Sequence, residues 1–239
     1  TNKIGDGVLY KGYTVGDIWG YVTGGILQEG DFDGVGANGK PLYHGPYFKG
    51  GQAYPGYIWY QDLDHDGVIT TGLNTVDDPG DRKVIGNNAP RYRYNITANF
   101  QYKGFDLDLM FQGVGKRDYW LSSTSSYWGN GAGSWEVYNN SWTPERTDAK
   151  FPMYGSGTGS YPQTGYLLDA SYIKLKQVIL GYTFPRALIN KIGLEKLRLN
   201  LAAYNLFTIS DMPKYYDADY LSDAYPPKRT FSVGIQVGF

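Results

Sequence analysis

The sequence predicts an all-β chain, a run of antiparallel strands from a transmembrane β-barrel carrying long extracellular loops. Three observations point there: unbroken alternation in the final strand, connections that run alternately long and short, and a composition rich in aromatics yet polar on average. In the closing stretch TFSVGIQVGF, Phe231, Val233, Ile235, Val237 and Phe239 fall on one face of an extended strand. Ser232, Gly234, Gln236 and Gly238 fall on the other, so the two faces meet different surroundings. Two architectures satisfy that pattern. In a soluble sandwich the apolar face meets a core, and in an outer-membrane barrel it meets lipid while the polar face lines the lumen.

The connections separate the two. From Val15 to Leu27 (VGDIWGYVTGGIL) the sequence predicts one strand, with Ile18, Gly20, Val22 and Ile26 against Trp19 and Tyr21. Residues 28–91 hold little periodicity and many Gly, Asp, Asn and Pro, which predicts a long loop. Tyr92–Tyr102 then alternates: Tyr94, Ile96, Ala98, Phe100 and Tyr102 oppose Arg93, Asn95, Thr97, Asn99 and Gln101. Lys103-Gly104 reads as a two-residue hairpin turn. The return strand sets Phe105, Leu107, Leu109 and Phe111 against Asp106, Asp108, Met110 and Gln112. Residues 115–170 are loop-like again. Ser171–Phe184 is a long β-run with Ile173, Leu175 and Ile179 beside Lys174, Lys176 and Val178. Pro185–Glu195 suits a short helix or wide turn. Lys196–Phe207 alternates once more, with Leu197, Leu199, Leu201 and Ala203 on one face, and loop 208–229 precedes the last strand.

Strict long–short alternation is the habit of outer-membrane barrels, whose extracellular loops are long and periplasmic turns short. A sandwich has no reason to place every long loop at one end. Six strands cannot enclose a lumen, since the smallest such barrels have about eight, so the strands are expected to belong to a larger barrel.

Composition narrows the function. The chain has 24 Tyr, 6 Trp, 10 Phe and 33 Gly in 239 residues. Mean hydropathy is nevertheless -0.43. Alternation cancels hydropathy while aromatic girdles mark interfaces, although a glycan-binding β-protein would look similar. A formal net charge of -1 leaves no electrostatic footprint for nucleic acid. The absence of cysteine excludes disulfides and thiolate metal sites. No apolar run of about 18 residues predicts a transmembrane helix.

Several strings also resemble one family. YKGFDLDLMFQGVG (102–115), WTPERTDAKFP (142–152), DASYIKLKQVILGYTFP (169–185), LRLNLAAYNLF (197–207) and YPPKRTFSVGIQVGF (225–239) are similar, in order, to the C-terminal barrel segment of SusC/RagA-type TonB-dependent outer-membrane transporters. DGVI (66–69) and DRKVIG (81–86) extend the match. The resemblance implies a plugged barrel of about 22 strands. It implies import of glycan or peptide oligomers across a Bacteroidota-like outer membrane, a SusD-like surface lipoprotein as lid, and TonB as the source of energy. The plug, the TonB-contacting segment and the earlier barrel strands are expected outside these residues.

Candidate sites follow. Asp62, Asp64 and Asp66 occupy positions one, three and five of an EF-hand-like loop, with Gly67 at six and the Val68 carbonyl at seven. Leu73 stands where a bidentate Glu is expected, so Asp77, Asp78 or Asp81 would have to close a structural Ca²⁺ site. The resemblance puts Asp81 at the family's Asp-Arg position. A solvated acidic turn is the rival reading. Trp120, Trp128, Trp135 and Trp142 are candidates for stacking on substrate, or for packing within loops. Asp106 and Asp108 face the lumen by parity and are candidates for contact with substrate or plug. His44 and His65 have no nucleophile or carboxylate partner at a recognisable spacing, so no catalysis is expected. The rival function is a secreted, calcium-dependent, carbohydrate-binding β-sandwich, and a passive barrel is a third.

Overall fold

The computed structural model describes residues 3–5, 8–121, 135–157, 160–214, 216–221 and 227–239. Its strands in chain order are β1 (Asp17–Tyr21), β2 (Thr23–Ile26), β3 (Tyr47–Phe48), β4 (Ile58–Tyr60), β5 (Val68–Ile69), β6 (Arg82–Asn87), β7 (Tyr92–Tyr102), β8 (Phe105–Gly115), β9 (Asp118–Tyr119), β10 (Leu168–Asp169), β11 (Tyr172–Thr183), β12 (Lys196–Ser210) and β13 (Thr230–Gly238). Two short helices, α1 (Trp135–Asn139) and α2 (Arg186–Ile189), complete it. The chain forms two compact units: Thr1–Ala89 with Asp118–Leu168, and Pro90–Arg117 with Asp169–Phe239.

The second unit is a five-stranded antiparallel sheet in the order β7-β8-β11-β12-β13, a meander in which each strand pairs with the next one of that sheet, β9 and β10 pairing apart from it. Its tight turn lies at Lys103-Gly104, where both residues have positive φ, 46° and 86°. That pairing of left-handed residues is the type I′ geometry that matches strand twist. A Cβ on Gly104 would also lie 2.7 Å from the Thr183 carbonyl oxygen. At Pro185–Glu195 the expected short helix is α2, followed by a 3-10 turn at Asn190–Ile192 that ends at Gly193 with φ 76°.

Register aligns the alternating faces into rows. Phe100 pairs with Leu107, Leu107 with Leu180, Leu180 with Leu201, and Leu201 with Val233. The next row holds Ala98, Leu109, Val178, Ala203 and Phe231. One face is therefore a continuous apolar surface, and it is bare, with Val233 75% exposed. The opposite face carries Asn99, Asp108, Ala202 and Ser232 in one row and Gln101, Asp106, Gly181, Asn200 and Gly234 in another. A bare apolar band this wide has no place in water, whereas lipid satisfies it.

The expected face of Ile179 is corrected by a β-bulge. Register shifts between Leu175 and Gln177: Leu175 pairs with Phe111, and Gln177 with the adjacent Met110, leaving Lys176 as the extra residue. Across β12 the partners jump from Phe207 to Tyr204, with Asn205 at φ 54°. Beyond the bulge parity inverts, so Val178 and Leu180 join the apolar face and Ile179 sits opposite Asp108. β12 runs on to Ser210, three residues past the predicted end at Phe207, because Tyr172, Ile173 and Lys174 continue the ladder with Ser210, Ile209 and Thr208.

The first unit departs further from expectation. Val15–Leu27 is two strands rather than one barrel strand: β1 pairs with β6 and β2 with β4, and neither joins the meander. The sheet thus has five strands where the sequence predicted six. Glycine explains the break. A Cβ on Gly20 would meet the Pro162 carbonyl oxygen at 2.5 Å, and one on Gly24 would meet the Trp59 ring at 2.4 Å. Close backbone approach, rather than alternation, organises this stretch. Residues 28–91 are likewise ordered around an aromatic core. Tyr21 lies 5.0 Å from Tyr60 and 5.5 Å from Phe48, ring to ring. Tyr60, Leu27, Ile58, Ile69 and Phe151 are fully buried with them. Inside, the buried Gln163 amide donates to the Tyr60 hydroxyl (3.0 Å) and the Tyr161 carbonyl (3.2 Å), and accepts from the Thr23 hydroxyl (3.0 Å). A buried amide so satisfied fixes one arrangement of the segments around it.

The two faces should respond oppositely to charge. Leu201→Arg is expected to cost about 2 to 4 kcal/mol of folding stability in lipid vesicles. Ser232→Arg, on the polar face, should cost little. Refolding into vesicles, followed by resistance to denaturation on gels, measures both.

Candidate functional site

The acidic loop is built by its own backbone. Asp62 accepts from His65 N–H at 2.7 Å and Gly67 N–H at 2.8 Å, while Asp66 accepts from Val68 N–H at 2.8 Å. His65 (φ 62°) and Gly67 (φ 85°) supply the left-handed turns. Asp81 is 0% exposed, and its two oxygens accept from Leu63 N–H (2.8 Å) and Thr70 N–H (2.7 Å), clamping both ends of the loop. Asp62, Asp64 and Asp81 bring one carboxylate oxygen each to within 4.8 Å of one another. Ligands around a Ca²⁺ at about 2.4 Å lie up to about 5 Å apart, so this trio fits one cation. Asp66 stands outside the trio, and Asp77 and Asp78 are not part of it. Burial pushes the Asp62 carboxyl up, but the Gly67 and His65 amides outweigh it and hold it below its ordinary range. Asp64 moves up, through burial first and then the nearby carboxylates of Asp81, Asp66 and Asp62, against the Asp66 amide.

The tryptophans separate. Trp142 is 4% exposed and donates from Nε1 to Gln28 Oε1 at 2.8 Å, a packing role inside the first unit. Trp135 is 77% exposed on α1, edge-on to Tyr138 at 5.9 Å. Trp120 is half-buried. Trp128 lies outside the described residues. The described tryptophans do not gather into one stacking platform.

Asp106 and Asp108 lie on the polar face of the meander. Arg198 holds Asp106 in a two-pronged pair, Nη1 to Oδ1 at 2.5 Å and Nη2 to Oδ2 at 2.7 Å. Gly181 makes the room, because a Cβ there would stand 2.5 Å from both partners. Asn99 donates to Asp108. Both carboxylates are thus engaged from other strands of the sheet, Asp106 from β12 across β11 and Asp108 from β7, with an open cleft beside them lined by Gln101, Lys103, Asp106, Asp108, Thr183 and Arg198.

A third constellation escapes the sequence reading. Residues 216–221 are strapped onto the polar face of the second unit by charge. Lys174, 2% exposed, donates to both oxygens of Asp217 at 3.0 and 2.7 Å. Lys176 donates to Asp219 at 2.7 Å, and the Tyr172 hydroxyl donates to Asp219 at 2.5 Å. Arg117 donates to the carbonyls of Ala170 (3.1 Å) and Ala218 and lies 5.9 Å over the Tyr172 ring. Beside the strap is a cleft of about 350 Å³ lined by Arg93, Asn95, Gln112, Arg117, Tyr172 and Asp219, among others. Burial pushes Asp219 up, but the Lys176 ammonium and Tyr172 hydroxyl hold its carboxyl below the ordinary value. The available signal was K-x-K at 174–176 facing D-x-D at 217–219, equal spacing with opposite charge.

A bare apolar face backed by a polar, charge-crossed face defines this sheet as a piece of outer-membrane-type β-barrel wall. Comparison with known proteins narrows the class. No family model matches the chain. It is 30% identical over 249 aligned residues to TonB-dependent receptor P3 of Formosa agariphila, covering 97% of this chain and 23% of that protein. It is 28% identical to TonB-dependent receptor P26 of the same organism over 75% of the chain, and 26% identical to TonB-dependent receptor SusC of Bacteroides thetaiotaomicron over 91%. The RagAB peptide importer in its open-open state superposes with a TM-score of 0.59 at 21% identity, covering 95% of this chain and 23% of that one. The RagAB peptide transporter gives 0.57 at 20%, a likeness of fold alone. The chain is thus similar in sequence to proteins named TonB-dependent receptors, SusC among them, and it spans about a quarter of the length of the relatives it matches (23% for receptor P3).

The strap should be costly to break. Lys174→Met leaves Asp217 without its buried partner and is expected to cost about 3 to 5 kcal/mol. Acid should act on the same place: Asp219 titrates lower folded than unfolded, so its contribution is full above the unfolded value near about 4 and fades as pH falls below it. Thermal unfolding of the detergent-solubilised protein at graded pH measures both, and K176M, which removes the main cation holding Asp219 down, should flatten the acid limb.

Proposed function

We propose that this chain is the C-terminal barrel segment of a SusC-like TonB-dependent transporter, which imports glycan or peptide oligomers across the outer membrane. The observation that carries the reading is the meander itself: five antiparallel strands with rows of apolar residues exposed on one face and polar residues on the other. The relatives' names support it. In this reading the segment supplies lipid-facing wall, with 28–91, 115–170 and 208–229 as extracellular loops. Substrate is captured between those loops and a SusD-like surface lipoprotein. It then passes through the lumen once TonB, acting on the plug elsewhere in the protein, opens the path. His44 lies at the surface, 2.9 Å from Asp33.

The secreted sandwich reading fares worse, because it needs a second sheet over the apolar face. Among the described residues no other sheet has more than two strands.

Fractionation of the source organism tests the reading. The protein should sit in the outer membrane, and intact-complex mass spectrometry of the detergent extract should find it in a species several times 26.7 kDa with a lipoprotein attached. A soluble 26.7 kDa species would sink it.

We further propose that Asp62, Asp64 and Asp81 hold a structural Ca²⁺, with Asp66 and the Val68 carbonyl as neighbouring oxygens. Three carboxylates so close repel one another, and a divalent cation would turn that repulsion into a brace. The ion would rigidify the loop without entering any transport step. Chelation should lower the unfolding temperature, and Asp62→Asn should remove the response to Ca²⁺. Asp81→Asn should destabilise the loop even without the ion, because Asp81 already anchors two amides. An unfolding curve indifferent to both Ca²⁺ and chelator would contradict the brace.

A further inference from the structure

The cleft beside the strap carries an inference that deepens the transport reading and rests on it. Its wall contains two guanidinium groups, Arg93 and Arg117, against one carboxylate, Asp219. That carboxylate is already occupied, by Lys176 at 2.7 Å and by Tyr172 at 2.5 Å, with Lys174 a further 3.8 Å away. Asp219 is therefore neutralised from its own side, and the cationic excess faces the cleft. Arg117 is tied down by the Ala170 and Ala218 carbonyls and shapes the floor. Arg93 differs. It is exposed on β7, on the polar face opposite Val114, and makes no ion pair or hydrogen bond among the described residues. Asn95, two residues along the same face, adds an amide donor to the same wall, whereas the amide of Gln112, its cross-strand partner, already donates to the Tyr172 hydroxyl at 3.3 Å and to Asp219 at 3.5 Å.

We propose that this cleft is a subsite for a carboxylate borne by the transported oligomer, with Arg93 as the cation that meets it. The volume of about 350 Å³ admits one monomer unit of a peptide or glycan, not a whole oligomer. A guanidinium fork matches a carboxylate with two parallel hydrogen bonds, and the Asn95 amide alongside adds a donor. The rest of the oligomer would extend along the polar face. Two sources present this group, a peptide C-terminus and a uronic acid residue. The strap gives the subsite its rigidity: Lys174 and Lys176 hold residues 216–221 through Asp217 and Asp219, so Asp219 cannot swing across to neutralise Arg93.

The experiment uses the full transporter, purified from outer membranes in detergent. Four probes are titrated by microscale thermophoresis: tetra-alanine, tetra-alanine amide, tetragalacturonate and maltotetraose. At least one acid should bind about tenfold or more tightly than its neutral counterpart, and the pair that discriminates names the source. Arg93→Gln should erase the preference, and Arg93→Lys should retain part of it. Should Arg93→Gln fail to assemble, Asn95→Asp places a competing carboxylate at the site and should erase the same preference. Equal binding of acid and neutral probes, or a preference that survives both variants, overturns the proposal. The location of the protein is read separately: absence from the outer membrane would defeat the transport reading, while the acid-over-neutral comparison still judges the cleft.

Discussion

The backbone ladder of the meander is the constraint on which the rest depends. In lipid no water completes an unpaired N–H or C=O, so a strand can cross a membrane only where neighbours take up both its edges. β8, β11 and β12 have such neighbours on both sides, whereas β7 and β13 bound the sheet. In the proposed transporter those two edges pair with further strands of the same barrel. Once the ladder sets the register, the side-chain rows follow from it, and one face becomes a surface that only hydrocarbon or a core can accept.

On the polar face, charge rather than burial holds the parts together. Arg198 crosses from β12 to Asp106 on β8, over the space that Gly181 leaves on β11. Lys174 and Lys176 fasten residues 216–221 through an Asp-x-Asp. The bulge at Lys176 is part of this device: it keeps two lysines beside the strap, then inverts parity so that Val178 and Leu180 still reach the apolar face. A strand of uniform alternation would have had to give up one or the other.

The meander was legible in the sequence because each of its strands carries a period of two. Lys103-Gly104 and the final strand could be placed to within a residue by alternation and turn chemistry alone. The bulge was not legible, since a single extra residue leaves no local mark, and Ile179 was assigned to the wrong face for that reason. The first unit was hidden for another reason. Its core is a set of tyrosines and glycines that meet through close approach, as Gly24 does beneath Trp59 and Tyr21 does against Tyr60. Contacts of that kind have no periodicity to read. Of the candidate sites, the acidic loop was visible because its residues are consecutive, and Asp81 was brought in by resemblance. The strap and its cleft join residues more than forty positions apart, as Tyr172 and Asp219 are, and only charge complementarity hinted at them.

The most direct test of the central claim is a lipid-accessibility scan of β13. The sequence has no cysteine, so single cysteines from 231 to 238 can each carry a spin label without background. In vesicles, labels at 231, 233, 235 and 237 should be relaxed by oxygen dissolved in the bilayer, and those at 232, 234 and 236 by a water-soluble nickel complex. A period of two between lipid and water is the predicted result. Uniform exposure to the aqueous relaxant, or no period at all, would contradict the barrel wall and every functional statement built upon it.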